Sequence, residues 1–333
     1  MARDQGAYYT RRTFCWTLAG VLVAPRIAIA QASKVVRRIG VLEPGMPDPP
    51  EEIWKDEEPL RKLGWIEGQN LHVERRYDNG RSDALQPLAE ELVHAQVEII
   101  VTAGTAATLA AKRVTTTIPI VFRGAGDPVR LGLVASLARP GGNITGYSYA
   151  TPEVTAKSLS VLKELLPRIQ RIGVLLQVGD PYNHVAREQF EHVGQLLGVV
   201  PIVVEIRAAG EIGGAIAQLE RQHADALSLP ISGFFWDNRR ELIDAATKHG
   251  LPTMSYAAEM VREGVLIAYS SSSVEESRVR AEYIDRILRG ARPADLPVRQ
   301  PTKFDLAINL KTARALGLTI PKELLVRADE VIQ

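Results

Sequence analysis

The residues best suited to binding a small molecule lie in short loops that each separate an apolar run from a helical pattern. These loops contain glycine or proline and span 43–46, 103–106, 124–128, 177–183 and 230–233. In open parallel sheets, ligands bind beyond the carboxyl ends of the strands, where such loops lie. A helix that starts directly after such a loop has free backbone N–H groups, which favour an anion such as a carboxylate. The loops therefore predict a small-molecule site.

Three residues in these loops have the clearest binding chemistry. Gly104 allows a ligand to approach the backbone closely, and Thr105 adds a hydroxyl. Asp127 can accept a hydrogen bond from an ammonium or hydroxyl group. Glycine, proline, aspartate and asparagine also dominate ordinary turns, so each loop taken singly fits a plain turn or helix cap as well.

Motifs for catalysis and for metal binding are poor. Residues 146–150 match a loose G-x-S-x-A pattern around Ser148, but a nucleophile elbow needs a strand, a sharp turn and a helix, followed by Asp and His. We interpret this segment as a hinge strand. The sequence contains neither HExxH nor a Walker motif, and Gly124-x-Gly126 lacks the third glycine of a dinucleotide loop. We therefore expect no catalytic residue, no metal and no cofactor.

Aromatic residues cluster at loop and hinge positions, where they could stack on a ligand. They are Tyr147, Tyr149, Tyr182, Phe234, Phe235, Trp236, Tyr256 and Tyr269. Aromatic side chains also dominate protein cores, so packing in a core or a lid is the alternative interpretation.

One sequence pattern is used twice. The pentapeptide Arg-Ile-Gly-Val-Leu stands at 38–42 and again at 171–175, and each copy opens a series of short apolar runs alternating with helical patterns. The predicted strands are 39–42, 70–75, 97–102 and 118–122, then 171–176, 199–206, 226–229 and 252–254. The predicted helices are 51–63, 83–94 and 104–113, then 183–197, 211–222 and 235–249. Uniformly apolar strands between helices predict an α/β fold of two lobes with parallel sheets.

The chain is expected to cross between the lobes more than once. A glycine-rich link at 141–147 precedes a helix start at 151–154, and a second crossing at 266–273 precedes a helix that begins with a serine cap. The proline-rich segment 291–303 leads to a last strand at 304–309. The expected lobe boundaries are 36–146, completed by about 272–295, for lobe 1 and 147–270, completed by about 300–333, for lobe 2. Several crossings would form a hinge.

The first 32 residues have the pattern of an export signal. Arg11 and Arg12 precede an apolar run at 16–24, and small residues at 28, 30 and 32 resemble a cleavage site. Paired arginines before an apolar residue resemble a twin-arginine signal, which predicts a periplasmic location for the mature chain. The run is shorter than the roughly 20 residues of a membrane span. A membrane anchor or a surface helix is the alternative.

Composition excludes several classes of protein. The net charge is +1, with 24% charged and 46% hydrophobic residues, which describes a globular protein without the basic excess of a nucleic-acid-binding domain. The one cysteine, Cys15, lies within the predicted signal, so we expect neither a disulfide nor a cysteine metal site in the mature chain.

Several longer segments resemble one protein family. They are GQNL at 68–71, AGTAA at 103–107, GDPV at 126–129, LARPGGNITG at 137–146, QPTKFDL at 300–306, INLKTA at 308–313 and LGLTIP at 316–321. Together they resemble the substrate-binding proteins of ABC transporters related to the tryptophan/tyrosine type, which have the type I periplasmic-binding-protein fold. The resemblance covers residues from about 36 to 332.

The resemblance implies two hinged Rossmann-like lobes of the Venus-flytrap kind, joined by three crossings, with a ligand in the cleft. It also implies a monomeric receptor that delivers the ligand to an ABC permease. By position, Gly104, Thr105, Asp127 and Thr145 fall where the first lobe of such proteins meets its ligand. The second lobe departs from the family pattern, because Leu-Pro-Ile-Ser at 229–232 lacks the acid of a common Leu-Pro-Asp. An aromatic amino acid is therefore only the default ligand.

These observations predict an extracytoplasmic solute receptor that binds a small molecule, such as an amino acid or another small carboxylate, and that is not an enzyme. The expected ligand-binding residues are Gly45, Met46, Gly104, Thr105, Ala106, Asp127, Pro128, Thr145, Tyr147, Tyr182, Asn183, Ser232, Tyr256 and Tyr269. Two alternatives stay open: a periplasmic sensor that feeds a signalling partner, and an exported hydrolase that uses Ser148. No nucleic-acid partner is expected.

Overall fold

The computed structural model describes residues 36–46, 57–148, 152–230 and 232–333. The predicted export signal at 1–32, the start of the helix predicted at 51–63, and Tyr149 lie outside the described residues. Among the residues described, no helix combines the length and the apolar character needed to cross a membrane.

Strands and helices alternate along most of the chain. The strands are β1 (Arg37–Glu43), β2 (Leu71–Tyr77), β3 (Ile99–Ala103), β4 (Ile120–Arg123), β5 (Ile144–Tyr147), β6 (Arg171–Gln177), β7 (Val200–Ile206), β8 (Ala226–Leu229), β9 (Thr253–Ser255), β10 (Ile267–Ser271), β11 (Phe304–Asn309) and β12 (Glu330–Ile332). The helices are α1 (Glu57–Lys62), α2 (Leu85–His94), α3 (Gly104–Val114), α4 (Pro152–Leu165), α5 (Asn183–Leu197), α6 (Ile212–Arg221), α7 (Gly233–Asp237), α8 (Arg239–Lys248), α9 (Glu259–Arg262), α10 (Ser273–Leu288), α11 (Leu310–Ala315) and α12 (Lys322–Arg327).

The first lobe is built on a parallel sheet in the order β2-β1-β3-β4-β5. Strands β1, β3, β4 and β5 are largely buried on both faces, so each face of the sheet has its own core. Ile39 and Val41 pack with Tyr283 and Ile284 of α10 on one face. The other face packs against α2 and α3, for example through Leu42. Helix α10 follows β10 of the second lobe in the chain, yet it completes the core of the first.

The second lobe is built on a sheet in the order β12-β11-β10-β9-β8-β6-β7. Helices α4 and α5 cover one face of the sheet, and helices α6, α8 and α9 cover the other. All neighbouring strands are parallel except β10 and β11. The predicted parallel sheets are confirmed apart from this pair, where the chain returns from α10 and enters β11 in the opposite direction. The short strand β12 was not predicted.

The lobes are joined by three chain crossings that lie side by side. The chain leaves the first lobe after β5, returns between β10 and α10, and leaves again between Arg299 and β11. Residues 144–147 of the predicted link form strand β5 rather than an irregular linker. Backbone hydrogen bonds join two of the crossings: Ser148 N donates to Arg299 O, and Arg299 N donates to Gly146 O, each at 2.9 Å. Thr302 Oγ1 donates to Glu275 Oε1 at the start of α10, at 2.9 Å, which links the third crossing to the second.

The lobes also contact each other at two places away from the hinge. At one, Met46 N of the first lobe donates to Asp237 Oδ2 of α7, at 2.8 Å. At the other, the ring of Tyr182 lies against the backbone of Gly126. Beside this second contact, the guanidinium of Arg130 pairs with the carboxylate of Glu188 on α5. The structure is therefore a closed arrangement of the two lobes.

Replacing Gly146 with alanine should destabilise the first lobe next to the hinge. A Cβ at this position would lie 2.1 Å from the carbonyl oxygen of Phe122, its partner on β4, so the strand must move. Overpacking of this kind costs about 1–3 kcal/mol. We expect Gly146→Ala to lower the midpoint of urea unfolding, whereas the control Gly142→Ala should not, because nothing lies within 4 Å of a Cβ there. Equal midpoints for the two variants would contradict this account.

Candidate ligand-binding site between the lobes

A cavity of about 160 Å³ lies between the carboxyl ends of the two sheets. The first lobe contributes the loops that follow β1 to β4, and the second contributes those that follow β6, β8 and β10 together with α5 and α7. A cavity of roughly 150 Å³ can hold one benzene molecule. The cavity therefore has space for about one aromatic ring.

Aromatic side chains form the apolar walls of the cavity. Phe190 comes from α5, and Phe234 and Phe235 come from α7, where their rings meet edge to face at 5.1 Å. Tyr269 and Phe304 stack with their ring centres 5.3 Å apart. Walls of this kind favour a ligand with a flat apolar part.

The start of α3 is the first lobe's main polar contribution. Gly104 has φ +73°, which glycine adopts at little cost, and this turns the chain from β3 directly into the helix. No side chain of the described residues caps this end of α3. Thr105 Oγ1 accepts from Gly126 N at 3.1 Å, which joins the helix start to the loop after β4. Uncapped N–H groups at a helix start suit a carboxylate.

Two carboxylates line the cavity. Asp78 is 3% exposed, and its Oδ1 accepts from Gly45 N at 2.7 Å and from Gly80 N at 2.9 Å. Asp180, in the loop after β6, accepts from Tyr182 N at 2.8 Å through Oδ1. Burial raises the pKa of both carboxyl groups, because it penalises their charged forms.

The described residues that line the cavity include no lysine, arginine or histidine. The charged side chains that face a ligand are therefore acidic. One buried and one half-buried carboxylate without a basic partner favour a ligand that brings a positive group, because an opposite charge stabilises the ionised carboxylate. Together with the start of α3, this arrangement suits a zwitterion.

The second lobe adds a group of uncharged polar side chains, Thr155, Tyr182, Gln189, Ser228 and Tyr256, which we call the hydroxyl–amide cluster. Tyr182 OH donates to Gln189 Oε1 at 2.9 Å. The Tyr256 hydroxyl lies beside those of Ser228 and Thr155, although it has hydrogen-bond geometry to neither. Burial raises the pKa of Tyr256 to about 12, so its hydroxyl stays protonated at neutral pH.

The structure brings many of the predicted binding residues to the cavity. They are Gly104, Thr105, Ala106, Tyr182, Asn183, Ser232, Tyr256 and Tyr269. Asn183 has a structural role there as well, since its Nδ2 donates to Gln177 O at 2.6 Å.

The other predicted residues lie elsewhere. Gly45 and Met46 stand at the contact with Asp237. Asp127 and Pro128 form a turn in which Asp127 Oδ1 accepts from Arg130 N at 3.0 Å.

Two further residues expected to bind the ligand are buried in the first lobe. Thr145 is fully buried, and its Oγ1 donates to Leu296 O at 2.7 Å. Tyr147 packs in the core beneath α10. The hydroxyl of Ser148, considered above as a nucleophile, is also buried and donates to Ala125 O at 2.9 Å. These side chains serve the hinge region.

Several residues that line the cavity are not among the binding residues predicted from the sequence. Asp180 is the one acid in its loop, and Asp78 directly follows strand β2, so both had a positional signal. Gln189 and Phe190 lie within α5 and Ser228 lies within β8, where nothing in the sequence distinguishes them from packing residues.

Comparisons with known proteins agree with this architecture. A structure described as a conserved domain protein from Vibrio cholerae matches with a TM-score of 0.82 and 25% identity, covering 89% of this chain and 99% of that one. A Streptococcus pneumoniae structure in complex with L-Trp matches with a TM-score of 0.80 and 24% identity, over the same shares. These matches confirm the predicted two-lobe fold.

Sequence relatives point the same way. The "Tyrosine-binding protein" of Clostridioides difficile (strain R20291) is 24% identical over 262 residues, which are 78% of this chain and 74% of that protein. A family model described as "ABC transporter substrate binding protein" matches residues 57–332. The resemblance seen in the sequence is thus confirmed, and the chain belongs to the family of ABC transporter substrate-binding proteins.

Proposed function

We propose that the protein binds an amino acid with one aromatic ring between its lobes and delivers it to an ABC permease in the membrane. The observation that carries this proposal is the cavity itself, which combines the volume of one ring with acidic side chains and the uncapped start of α3. The names of a tyrosine-binding relative and of a structure in complex with L-Trp support the same ligand class.

We infer the orientation of the ligand from the polar groups that would bind its carboxylate and its ammonium group. The carboxylate lies at Gly104 and Thr105, where the free N–H groups of α3 begin. The ammonium group lies at Asp180, which replaces the acid that the loop at 229–232 lacks. These partners adjoin each other, because the Tyr182 ring next to Asp180 contacts Gly126, whose N–H donates to Thr105.

Delivery requires that the bound and unbound forms differ in shape. A ligand that contacts both lobes favours the closed arrangement by its differential affinity for that state. The permease then recognises the closed form, and no bond is made or broken. We further propose that the protein acts as a monomer outside the cytoplasm, exported by the twin-arginine route that residues 11–12 suggest.

A panel of candidate ligands should separate one chemical class from the rest. We expect aromatic amino acids to raise the thermal unfolding midpoint, and purines, simple amines and non-aromatic carboxylates to leave it unchanged. A ligand at 100 times its dissociation constant adds about 2.7 kcal/mol, or roughly 5–10 °C for lobes of this size. A well-folded protein that no aromatic amino acid stabilises would contradict the proposal.

Replacing Asp180 with asparagine should remove the attraction for the ammonium group while keeping the acceptor for Tyr182 N. We expect a dissociation constant about 10- to 100-fold higher by calorimetry, because hydrogen bonds to charged groups contribute about 1.5–3 kcal/mol. The matched control is Asp244→Asn on the exposed face of α8, which should leave the affinity unchanged.

The ligand affinity of the wild type should depend on pH in a way that the affinity of the Asp180→Asn variant does not. The Asp180 carboxyl must be ionised to attract an ammonium group, so affinity should fall as pH decreases through its raised pKa. The loss should begin at a higher pH than for an ordinary aspartate, whose pKa is about 3.9. The Asp180→Asn variant should show a flat profile. A pH dependence that persists unchanged in the variant would assign the effect to another group.

Replacing Gly233 with alanine should block closure without unfolding the protein. A Cβ there would lie 2.5 Å from Pro44 Cβ and 2.7 Å from the Pro44 backbone, whereas alanine is favourable within a helix. With saturating ligand, X-ray scattering should show a smaller radius of gyration for the wild type and for the control Gly142→Ala. The Gly233→Ala variant should not contract, and contraction equal to that of the wild type would refute the proposed closure contact.

A further inference from the structure

Two residues that line the cavity each have a buried polar atom without a hydrogen-bond partner among the described residues. The two atoms are Gln189 Nε2 and Tyr256 OH, both in the hydroxyl–amide cluster. Nearly all buried polar groups in folded proteins are hydrogen-bonded, so each exception calls for an explanation. A ligand group that forms hydrogen bonds with both atoms would explain both exceptions.

The position of the Gln189 amide is set by its neighbour. Tyr182 OH donates to Gln189 Oε1, so the acceptor end of the amide is occupied and the donor end is the one left over. Tyr182 also contacts Gly126 across the cleft. The contact that closes the lobes therefore also orients Gln189.

The second atom provides a complementary donor. The hydroxyl of Tyr256 is protonated at neutral pH and lies among other hydroxyls rather than beside a charge. A hydroxyl oxygen has two lone pairs and can accept from both an amide N–H and a phenol O–H. An anionic group would be poorly accommodated at this cluster, which has neither a basic side chain among the described lining residues nor the free N–H groups of α3 that suit the ligand carboxylate.

We propose that Gln189 and Tyr256 determine specificity by selecting aromatic ligands whose ring bears a hydroxyl over ligands with the unsubstituted ring. The inference rests on the proposed function, since it assumes that an aromatic amino acid occupies the cavity. A ligand without the hydroxyl leaves both buried donors unpaired on closure, and that penalty opposes binding.

Calorimetry with phenylalanine and its ortho-, meta- and para-hydroxy derivatives tests this selection. We expect the best hydroxylated derivative to bind wild-type protein on the order of 10- to 100-fold more tightly than phenylalanine. Using all three isomers removes any dependence on where the hydroxyl sits on the ring.

Two variants test whether Gln189 and Tyr256 cause the preference for a hydroxylated ring. In Gln189→Leu and in Tyr256→Phe the preference should fall severalfold, and in the double variant it should fall to less than about threefold, because an unmet donor no longer penalises the plain ring. Phenylalanine should bind Tyr256→Phe at least as tightly as it binds the wild type, since this variant keeps the acceptor of the Tyr182 hydroxyl. The matched control is Gln195→Leu, on the same helix but exposed, which should keep the wild-type preference.

The outcomes are distinguishable from failure of the proposed function. If wild-type protein binds none of the four compounds, the proposed function is wrong and this inference falls with it. If phenylalanine and its derivatives bind with equal affinity, the inference is wrong although the proposed function stands. A full preference retained in the double variant would also refute the role of Gln189 and Tyr256.

Discussion

The close approach of Tyr182 to Gly126 is the contact on which the geometry of the cavity depends. A Cβ on Gly126 would lie 2.1 Å from the Tyr182 ring, so the contact requires a glycine or a displaced ring. The same tyrosine donates through its backbone N–H to Asp180 and through its hydroxyl to Gln189. Closure of the lobes and placement of two cavity side chains are thus linked through one residue. An opening motion that separates Tyr182 from Gly126 removes one wall of the site.

The hinge makes such a motion compatible with two rigid lobes. The crossings are joined mainly by backbone hydrogen bonds, such as those between Arg299 and residues 146 and 148. The adjoining side chains, including Thr145 and Ser148, are buried and bonded to backbone carbonyls of the first lobe. Bending is therefore confined to the short segments between the lobes. Thr145 and Tyr147, which the sequence predicts to bind the ligand, are buried beside these segments.

Most of the fold could be predicted from the sequence, because each lobe repeats the same local pattern of apolar strands and helices. The apolar strands that contain the two Arg-Ile-Gly-Val-Leu segments and the serine cap of α10 all lie where the pattern predicted them. The direction of β11 was not predictable, because strand direction depends on where the returning chain enters the sheet. Within the site, loop residues such as Gly104 and Thr105 had a signal in turn chemistry. Gln189 and Ser228 had none, since their role depends on which face of a helix or strand meets the cavity.

Electrostatics gives a physical reason why closure and binding should be coupled. In the closed arrangement Asp78 is buried and Asp180 is half-buried, and this burial disfavours their ionised forms and raises both pKa values. The N–H groups that bond to the Asp78 carboxylate offset part of this cost, whereas the Asp180 carboxylate accepts one hydrogen bond among the described residues. In the closed arrangement the charge of Asp180 therefore has little compensation from the protein. A cationic group on the ligand removes that penalty only when the lobes are closed, so it stabilises the closed state selectively, which is the condition for a ligand to shift the equilibrium.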